Sequence, residues 1–300
     1  MCIFKGKFVK NSNIKHHVVP QSYLKRFGRL NTNNKGSNIG VWSKKSSKCF
    51  IKAVKDVAYV KEYYSVNSKS DNKNYWEHRF SKELEQLYGT EIKTIISKIN
   101  SKCSLNNLDK KILSKLIAFQ FVRVPAFLDR QIEKGRNITE EIFKQYHFLF
   151  ENLNKYERQK IFSLAETDNI KNQALEIIID DVLPKSEEIL SGKTWKIYIN
   201  NLDIPLFTSD NPVVLYNFST NSFDYNNNGL GRDDNIILFP LTPKILVHIS
   251  PSSFSKIINE STTDTKDIKY ISTINRLQIE HCTNEVYFPP EFIDSFNPNN

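Results

Sequence analysis

The hydrophobic pattern of the chain changes at about Thr194, and this change limits the fold classes open to it. Over residues 75–190, apolar residues recur with the three-to-four-residue spacing of helices. After Thr194 the chain consists of short β-rich runs separated by Asn, Asp, Gly and Pro. Several of these runs lie close together in sequence, which favours antiparallel pairing. A helical section followed by a strand-rich section predicts an α+β fold and not a repeated βαβ sheet.

Five helices are predicted within the helical section. The second is apolar on nearly all sides, which indicates a buried central helix. Pro125 is expected to kink or end it, because proline removes a backbone hydrogen bond and clashes with the preceding turn. Pro184 has the same expected effect on the fifth helix. The predicted bounds are 75–99, 108–130, 140–152, 155–165 and 169–190, and a last helix is predicted at 266–281.

The residues before the helical section predict a short N-terminal element of helix and strands. A helix is expected over residues 18–27, with Pro20 in its first turn and Gly28 as its stop. The runs NIGVW and KCFIKAV predict two strands joined by the polar turn SKKSS. We therefore expect a single domain in which the helical section packs on a mainly antiparallel C-terminal sheet. Its three sections span residues 15–60, 75–190 and 194–290.

Composition excludes some classes of protein and leaves others open. The net charge of +9 comes from 42 basic and 33 acidic residues, but the lysines are scattered, so charge alone does not establish nucleic-acid binding. No apolar run reaches the ~20 residues that span a bilayer, and we expect no membrane partner. The four cysteines are far apart, which argues against a zinc ribbon or a disulfide scaffold and favours a cytoplasmic protein.

The segment KHHVVPQSYLKRF places two histidines, His16 and His17, before a proline and a short amphipathic run. Neighbouring side chains on a strand point to opposite faces, so adjacent histidines rarely bind one metal ion. At a strand-to-helix corner they could converge, as in ββα-metal nucleases, where the second histidine is the general base. Those nucleases need further metal ligands shortly downstream, and the next histidine here is His78. The structural alternative is that one histidine donates a hydrogen bond to backbone and the other is exposed.

The run FQFVRVP carries two polar residues on the otherwise apolar second helix. Gln120 and Arg123 are three residues apart and so lie on one face. An unpaired buried arginine is costly, so Arg123 is expected to meet a carboxylate, a phosphate or a helix end. A structural ion pair and an anion-binding arginine in a cleft are both consistent with this pattern.

The run FTSDNPVVL interrupts the strand-rich section with Asp210 and Asn211. These residue types suit a tight turn, because their side chains bond nearby backbone. An aspartate at a strand end is also a frequent position for a catalytic carboxylate. Ser209 lacks the surrounding glycines of a hydrolase nucleophile elbow.

Two glutamates are expected on the apolar side of the first long helix. Glu77 and Glu91 both project toward that face, where a carboxylate needs a partner. Arg123 and the histidine pair are the candidates for that partner.

Taken together, these motifs resemble those of the DUF4238 family of mostly bacterial proteins. The resemblance rests on HHVVPQSYLKRF, FQFVRVP, TSDNPVVL and FPLTPKILVHIS in this order, followed by IN and EVYF, and it covers about residues 15–288. The family supplies no activity, but members are similar to proteins suspected of roles in bacterial defence or toxicity. Its polar motif positions fall on His16, His17, Glu77, Gln120, Arg123, Asp210 and Asn211.

Our leading hypothesis is that these polar side chains converge on one cleft of a hydrolase, specifically a phosphodiesterase or nuclease. His16 or His17 is then the general base or a metal ligand. Asp210 and Glu77 bind a divalent metal or orient the histidine, and Arg123 stabilises phosphate charge.

In the same hypothesis Gln120 and Asn211 position the substrate, a nucleic acid or nucleotide. Two alternatives stay open. The polar set is a buried network that fixes how the sections dock, or it belongs to a sensor that binds a nucleotide or another anion without turnover. The pattern leaves the metal dependence and the oligomeric state undetermined.

Overall fold

The computed structural model describes residues 14–31, 36–66, 74–86, 90–150, 153–217, 219–223, 229–251 and 261–298. Within these residues, helices and mainly antiparallel sheets form an α+β fold, as the change of hydrophobic period predicts. None of the helices in the described ranges is long and apolar enough to cross a membrane.

The C-terminal section forms a five-stranded sheet. Its strands are β6 (Thr194–Asn200), β8 (Val214–Asn217), β9 (Asn235–Thr242), β10 (Ile245–Ser250) and β11 (Ser261–Thr265). Their order is β11-β6-β10-β9-β8, and every pair is antiparallel except β11 with β6. The expected antiparallel pairing is therefore confirmed for most of this sheet.

A second sheet joins the two ends of the chain. Its strands are β2 (Arg29–Leu30), β3 (Ser37–Ser43), β4 (Lys48–Ala53), β7 (Thr208–Ser209) and β12 (Glu285–Phe288). The hairpin β3–β4 corresponds to the two strands predicted around the SKKSS turn. Strand β12 lies between β3 and β7, so the N-terminal element shares a sheet with the C-terminal section.

The histidine pair lies on a short ribbon of two antiparallel strands, β1 (Lys15–His17) and β5 (Tyr59–Lys61). Helix α1 (Gln21–Leu24) follows directly. The expected helix over 18–27 was too long. The extended backbone of Pro20 delays its start to Gln21, and the helix ends at Leu24, after which residues 25–27 form a turn.

The helical section contains more and differently bounded helices than predicted. They are α2 (Tyr75–Gln86), α3 (Ile92–Asn100), α4 (Asn107–Arg123), α5 (Pro125–Gln145), α6 (His147–Phe150), α7 (Lys155–Ser163), α8 (Thr167–Ile177) and α9 (Leu183–Ser191), and α10 (Ile268–His281) follows the strands. The predicted helix 75–99 corresponds to α2 and α3, with residues 87–89 outside the described ranges. Pro184 does not interrupt the chain's helical course, because it occupies the first turn of α9, after a π-helical segment at Ile178–Val182.

Pro125 ends α4 as predicted and begins α5, in the position where its missing N–H costs nothing. The predicted gap between residues 130 and 140 was wrong, because α5 runs through it. Gly135 lies within α5 at the point where this helix approaches α8 closely, and the lack of a side chain leaves room for that approach. A side chain at this position would lie 3.0 Å from Ile170.

Helix α4 is buried along most of its length, which confirms the central helix expected from its apolar residues. Its Leu116, Ile117 and Phe119 belong to a core that also contains Phe80 of α2 and Phe239 of β9. Arg123, at its C-terminal end, is thereby carried to the ribbon that holds the histidines.

Candidate functional site

Arg123 connects the last turn of α4 to the histidine ribbon. Its guanidinium donates to the backbone carbonyl of His17, and its own carbonyl accepts from the Tyr64 hydroxyl at 2.5 Å. The extended backbone of Val124 and the proline after it end the helix here, so that the arginine lies beside β1. The backbone contacts fix the position of the side chain.

The charge of Arg123 is almost fully buried, with 3% of its side chain exposed. Its closest carboxylate is Glu77, whose Oε2 lies 3.7 Å from Nη2. The guanidinium also lies over the rings of Tyr64 and Phe80, at 5.7 and 5.5 Å from their centroids. The Arg123 Nε has no hydrogen-bond partner in the described part of the protein. The expected carboxylate partner of Arg123 is therefore present, and the contact with the His17 carbonyl is an additional one.

Glu77 is half-buried in the first turn of α2. Burial raises the pKa of its carboxyl group, while Arg123, His78 and a hydrogen bond from Ser81 act in the opposite direction. The carboxyl group is therefore protonated more readily than one in water. Glu91, by contrast, is exposed, and the expectation that it faces the apolar side was wrong.

His17 is half-buried, and its Nε2 lies 3.2 Å from the carbonyl of Lys55. Because a carbonyl can only accept, this contact assigns the proton of the neutral ring to Nε2 and leaves a lone pair on Nδ1. Burial lowers the pKa of His17, and the charges of Arg123 and Lys15 lower it further. The hydrogen bond to the Lys55 carbonyl acts in the opposite direction. The ring is therefore neutral at physiological pH.

His17, Glu77 and Arg123 line one cavity of about 290 Å³. The rest of its wall is polar apart from Pro20, and is formed by Gln21, Ser22, Lys25 and Ser81. Sequence reasoning missed these four residues. Gln21, Ser22 and Lys25 come shortly after the histidine pair in HHVVPQSYLKRF, on α1 and the turn that follows it. This closeness in sequence to His17 is the signal that could have identified them.

His16 faces the opposite side of β1, as strand alternation requires. It is fully buried, and its Nδ1 accepts from the backbone N–H of Tyr64 at 2.8 Å. The two rings stack at a centroid distance of 5.7 Å. Burial lowers the pKa of His16, and the interaction with the Asn74 side chain opposes this shift. These contacts give His16 a structural role, but the ring accepts from backbone where the structural alternative expected it to donate.

Asp210 follows β7 in the chain and lies in a separate polar group, beside the start of β12. Its carboxylate accepts from the backbone N–H groups of Thr283, Asn284 and Glu285 at 2.8, 2.7 and 3.3 Å. Burial raises the pKa of Asp210 to about 6, while the three donors act to lower it. The carboxylate thus holds the turn between α10 and β12.

Asp210 lines a second cavity of about 450 Å³, which His17, Glu77 and Arg123 do not line. Val18 and Pro125 also line that cavity, so the segments that carry His17 and Arg123 border both. The structure brings three of the expected site residues together and places Asp210 elsewhere.

Asn211 and Gln120 are both buried. The backbone N–H of Asn211 donates to the Ser209 hydroxyl at 3.2 Å, and its side-chain amide donates to the His281 carbonyl at 3.5 Å. Neither Asn211 nor Gln120 lines the cavity of His17, Glu77 and Arg123.

The donor atoms around this cavity are a poor match to a divalent metal. Among the described residues, no three histidine, cysteine, aspartate or glutamate side chains are grouped so as to hold a metal ion. The cavity contains one histidine and one carboxylate beside the cationic Arg123 and Lys25, which repel a metal cation.

A family model described as "Protein of unknown function (DUF4238)" matches residues 15–292. The match covers nearly the whole chain and agrees with the resemblance of its motifs, so the chain belongs to this family. No curated protein and no solved structure matches it.

Proposed function

We propose that this member of the DUF4238 family is a nuclease that cleaves the phosphodiester bonds of RNA by transesterification, in the cavity formed by His17, Glu77 and Arg123. The observation that carries the proposal is that a neutral base, a carboxyl group of raised pKa and a buried cation line one cavity. Oppositely shifted titratable groups at one site are the usual arrangement for acid and base catalysis.

The cations and hydroxyl groups of the cavity support binding of a phosphodiester. Arg123 and Lys25 supply positive charge, and Ser22 and Ser81 supply hydroxyl donors. The cavity volume is at the lower end of the range for ligand sites, about 300 Å³ upward. It accommodates a phosphate with its sugar and leaves the bases outside, which favours contacts to the backbone of the substrate.

RNA is the preferred substrate because it carries its own nucleophile. Nδ1 of His17 takes the proton of a 2′-hydroxyl, and the oxygen attacks the adjacent phosphorus. The bond to the 5′-oxygen breaks, and the carboxyl group of Glu77 gives this oxygen its proton. The products are a 2′,3′-cyclic phosphate and a 5′-hydroxyl, while Arg123 offsets the charge on the phosphate oxygens. DNA lacks the 2′-hydroxyl and needs an activated water, which a metal commonly supplies.

The test is incubation of the protein with labelled single-stranded RNA and with DNA of the same sequence, each with EDTA or with a divalent metal. We expect the RNA to be cleaved in EDTA to fragments with 2′,3′-cyclic phosphate ends, and the DNA to remain intact. RNA that stays intact in both conditions, or cleavage only with added metal, contradicts the proposal. Cleavage of RNA would serve the defence or toxicity role that the family resemblance implies.

A structural role for the rest of the polar set is supported by the contacts of His16 and Asp210. Both are buried, and both accept backbone N–H groups from a distant part of the chain. In this second proposal they fix the docking of β1 against the segment at Tyr64 and of the Asp210 turn against β12. The two proposals concern different residues and are compatible.

A further inference from the structure

Helix α5 has an outer face that no described part of the protein covers. Ile138 and Ile142, one turn apart, are 61% and 47% exposed. Helix α8 packs on α5 beside this face, where Gly135 allows the close approach to Ile170. Large apolar side chains grouped on one exposed face are characteristic of an interaction surface.

Charges of opposite sign lie on this face. Lys134 and Glu141 are both exposed and are seven residues apart, which places them on the same side of the helix and about 10 Å apart along its axis. At this distance they do not pair with each other. Neither forms an ion pair with any other described residue.

The arrangement of these charges is complementary to itself. Two copies of α5 can pack antiparallel about a two-fold axis near residues 137–138. This axis places Lys134 of each copy opposite the partner's Glu141, which forms two equivalent ion pairs. Ile138 of both copies then lies in the centre of the contact. A two-fold interface requires one surface that matches itself, and this face meets that requirement.

We propose that a second copy of this chain packs on the Lys134–Ile138–Glu141 face of α5 and forms a two-fold symmetric homodimer. The mixed charge favours a second copy over a partner of uniform charge, because each copy supplies both signs. One helix face buries less than the roughly 1,600 Å² of a standard interface. The dimer is therefore expected to have a dissociation constant in the micromolar range or above.

The test is charge reversal, read by sedimentation velocity across the micromolar range. Lys134→Glu brings two carboxylates together at each contact with the partner, and Glu141→Lys brings two lysines together. We expect each variant alone to sediment as a 35.0 kDa monomer at concentrations where the unmodified protein has twice that mass. An equimolar mixture of the two variants restores opposite charges at both contacts, so it is expected to dimerise again.

Two controls separate this interface from general surface effects. Ile138→Asp is expected to abolish the dimer, whereas Ile268→Asp, at a 56% exposed isoleucine on α10, is expected to leave it intact. The proposal is overturned if the unmodified protein is monomeric throughout the series. It is also overturned if the single charge reversals leave the dimer intact, or if the mixture stays monomeric. None of these residues lines the His17 cavity, so the outcome is independent of the proposed RNA cleavage.

Discussion

His16 and His17 are adjacent in sequence, yet their surroundings differ because β1 turns successive side chains to opposite faces. The first is fully buried and accepts a backbone N–H, while the second lies on a cavity. The sequence left a functional site and a structural role open for the pair. It could not show which of the two side chains faces the cavity, because their orientation depends on the pairing of β1 with β5, 42 or more residues away.

Substitution of the two histidines by alanine should therefore affect stability very differently. His16→Ala leaves the Tyr64 N–H without an acceptor and opens a cavity, and we expect a loss of about 2–4 kcal/mol. His17→Ala removes one long hydrogen bond at a partly exposed position, and we expect a loss of about 1 kcal/mol or less. Urea denaturation of both variants measures the difference. Equal losses would show that the two side chains are equivalent in the fold.

His281 gives the protein a dependence of stability on pH. It is buried in α10, its Nε2 lies 3.1 Å from the Val213 carbonyl, and burial lowers its pKa to about 3. The unfolded chain, with a histidine pKa near 6.5, binds the proton first, so the stability is present above pH 6.5 and is lost as the pH falls toward 3.

We expect the free energy of unfolding to fall by about 2 kcal/mol for this residue between pH 7 and pH 5. Burial raises the pKa of Asp210 to about 6, which acts in the opposite direction between pH 6 and 4. The comparison of His281→Gln with the unmodified protein isolates the histidine, because glutamine keeps a donor but has no charge. An unchanged pH slope in the variant would contradict this assignment.

At the scale of elements, the second sheet depends on the close contact of β3 and β12. A Cβ atom at Gly40 would overlap the ring of Phe288, which is fully buried and cannot move aside. Gly40→Ala is expected to destabilise the protein by roughly 1–3 kcal/mol through overpacking. Gly192 after α9 has no neighbouring atom closer than 3.7 Å, so Gly192→Ala is the matched control and should be neutral or slightly stabilising. Thermal unfolding of the two variants distinguishes a packing effect from a general effect of removing glycine.

The element boundaries show where sequence patterns succeed and where they fail. Pro125 marked the end of α4 correctly, because its effect on the backbone is local. The predicted gap between residues 130 and 140 does not occur, because α5 runs through it and packs against α8 at Gly135. Local chemistry is visible in a sequence, whereas a contact between distant helices is not.

At the scale of the whole molecule, the change of hydrophobic period at Thr194 predicted the α+β class. It did not predict that both ends of the chain contribute strands to one sheet. Strand β12 pairs with β3 across more than 240 residues, and no periodicity encodes that partner. The same limit applies to the site. Polar residues in apolar surroundings identified His17, Glu77 and Arg123. The cavity they share is also lined by Lys25, which is exposed after α1, and by Ser81, which is half-buried on α2.

The role of His17 as general base is tested by kcat/KM for single-stranded RNA in EDTA. His17→Gln is compared with His147→Gln, which changes an exposed histidine on α6. Loss of the general base is expected to reduce kcat/KM by about 10²–10⁴-fold in the first variant and to leave the second unchanged, with both proteins folded by circular dichroism. Equal activity of the two variants, or an unmodified protein without activity on RNA, would contradict this role of His17.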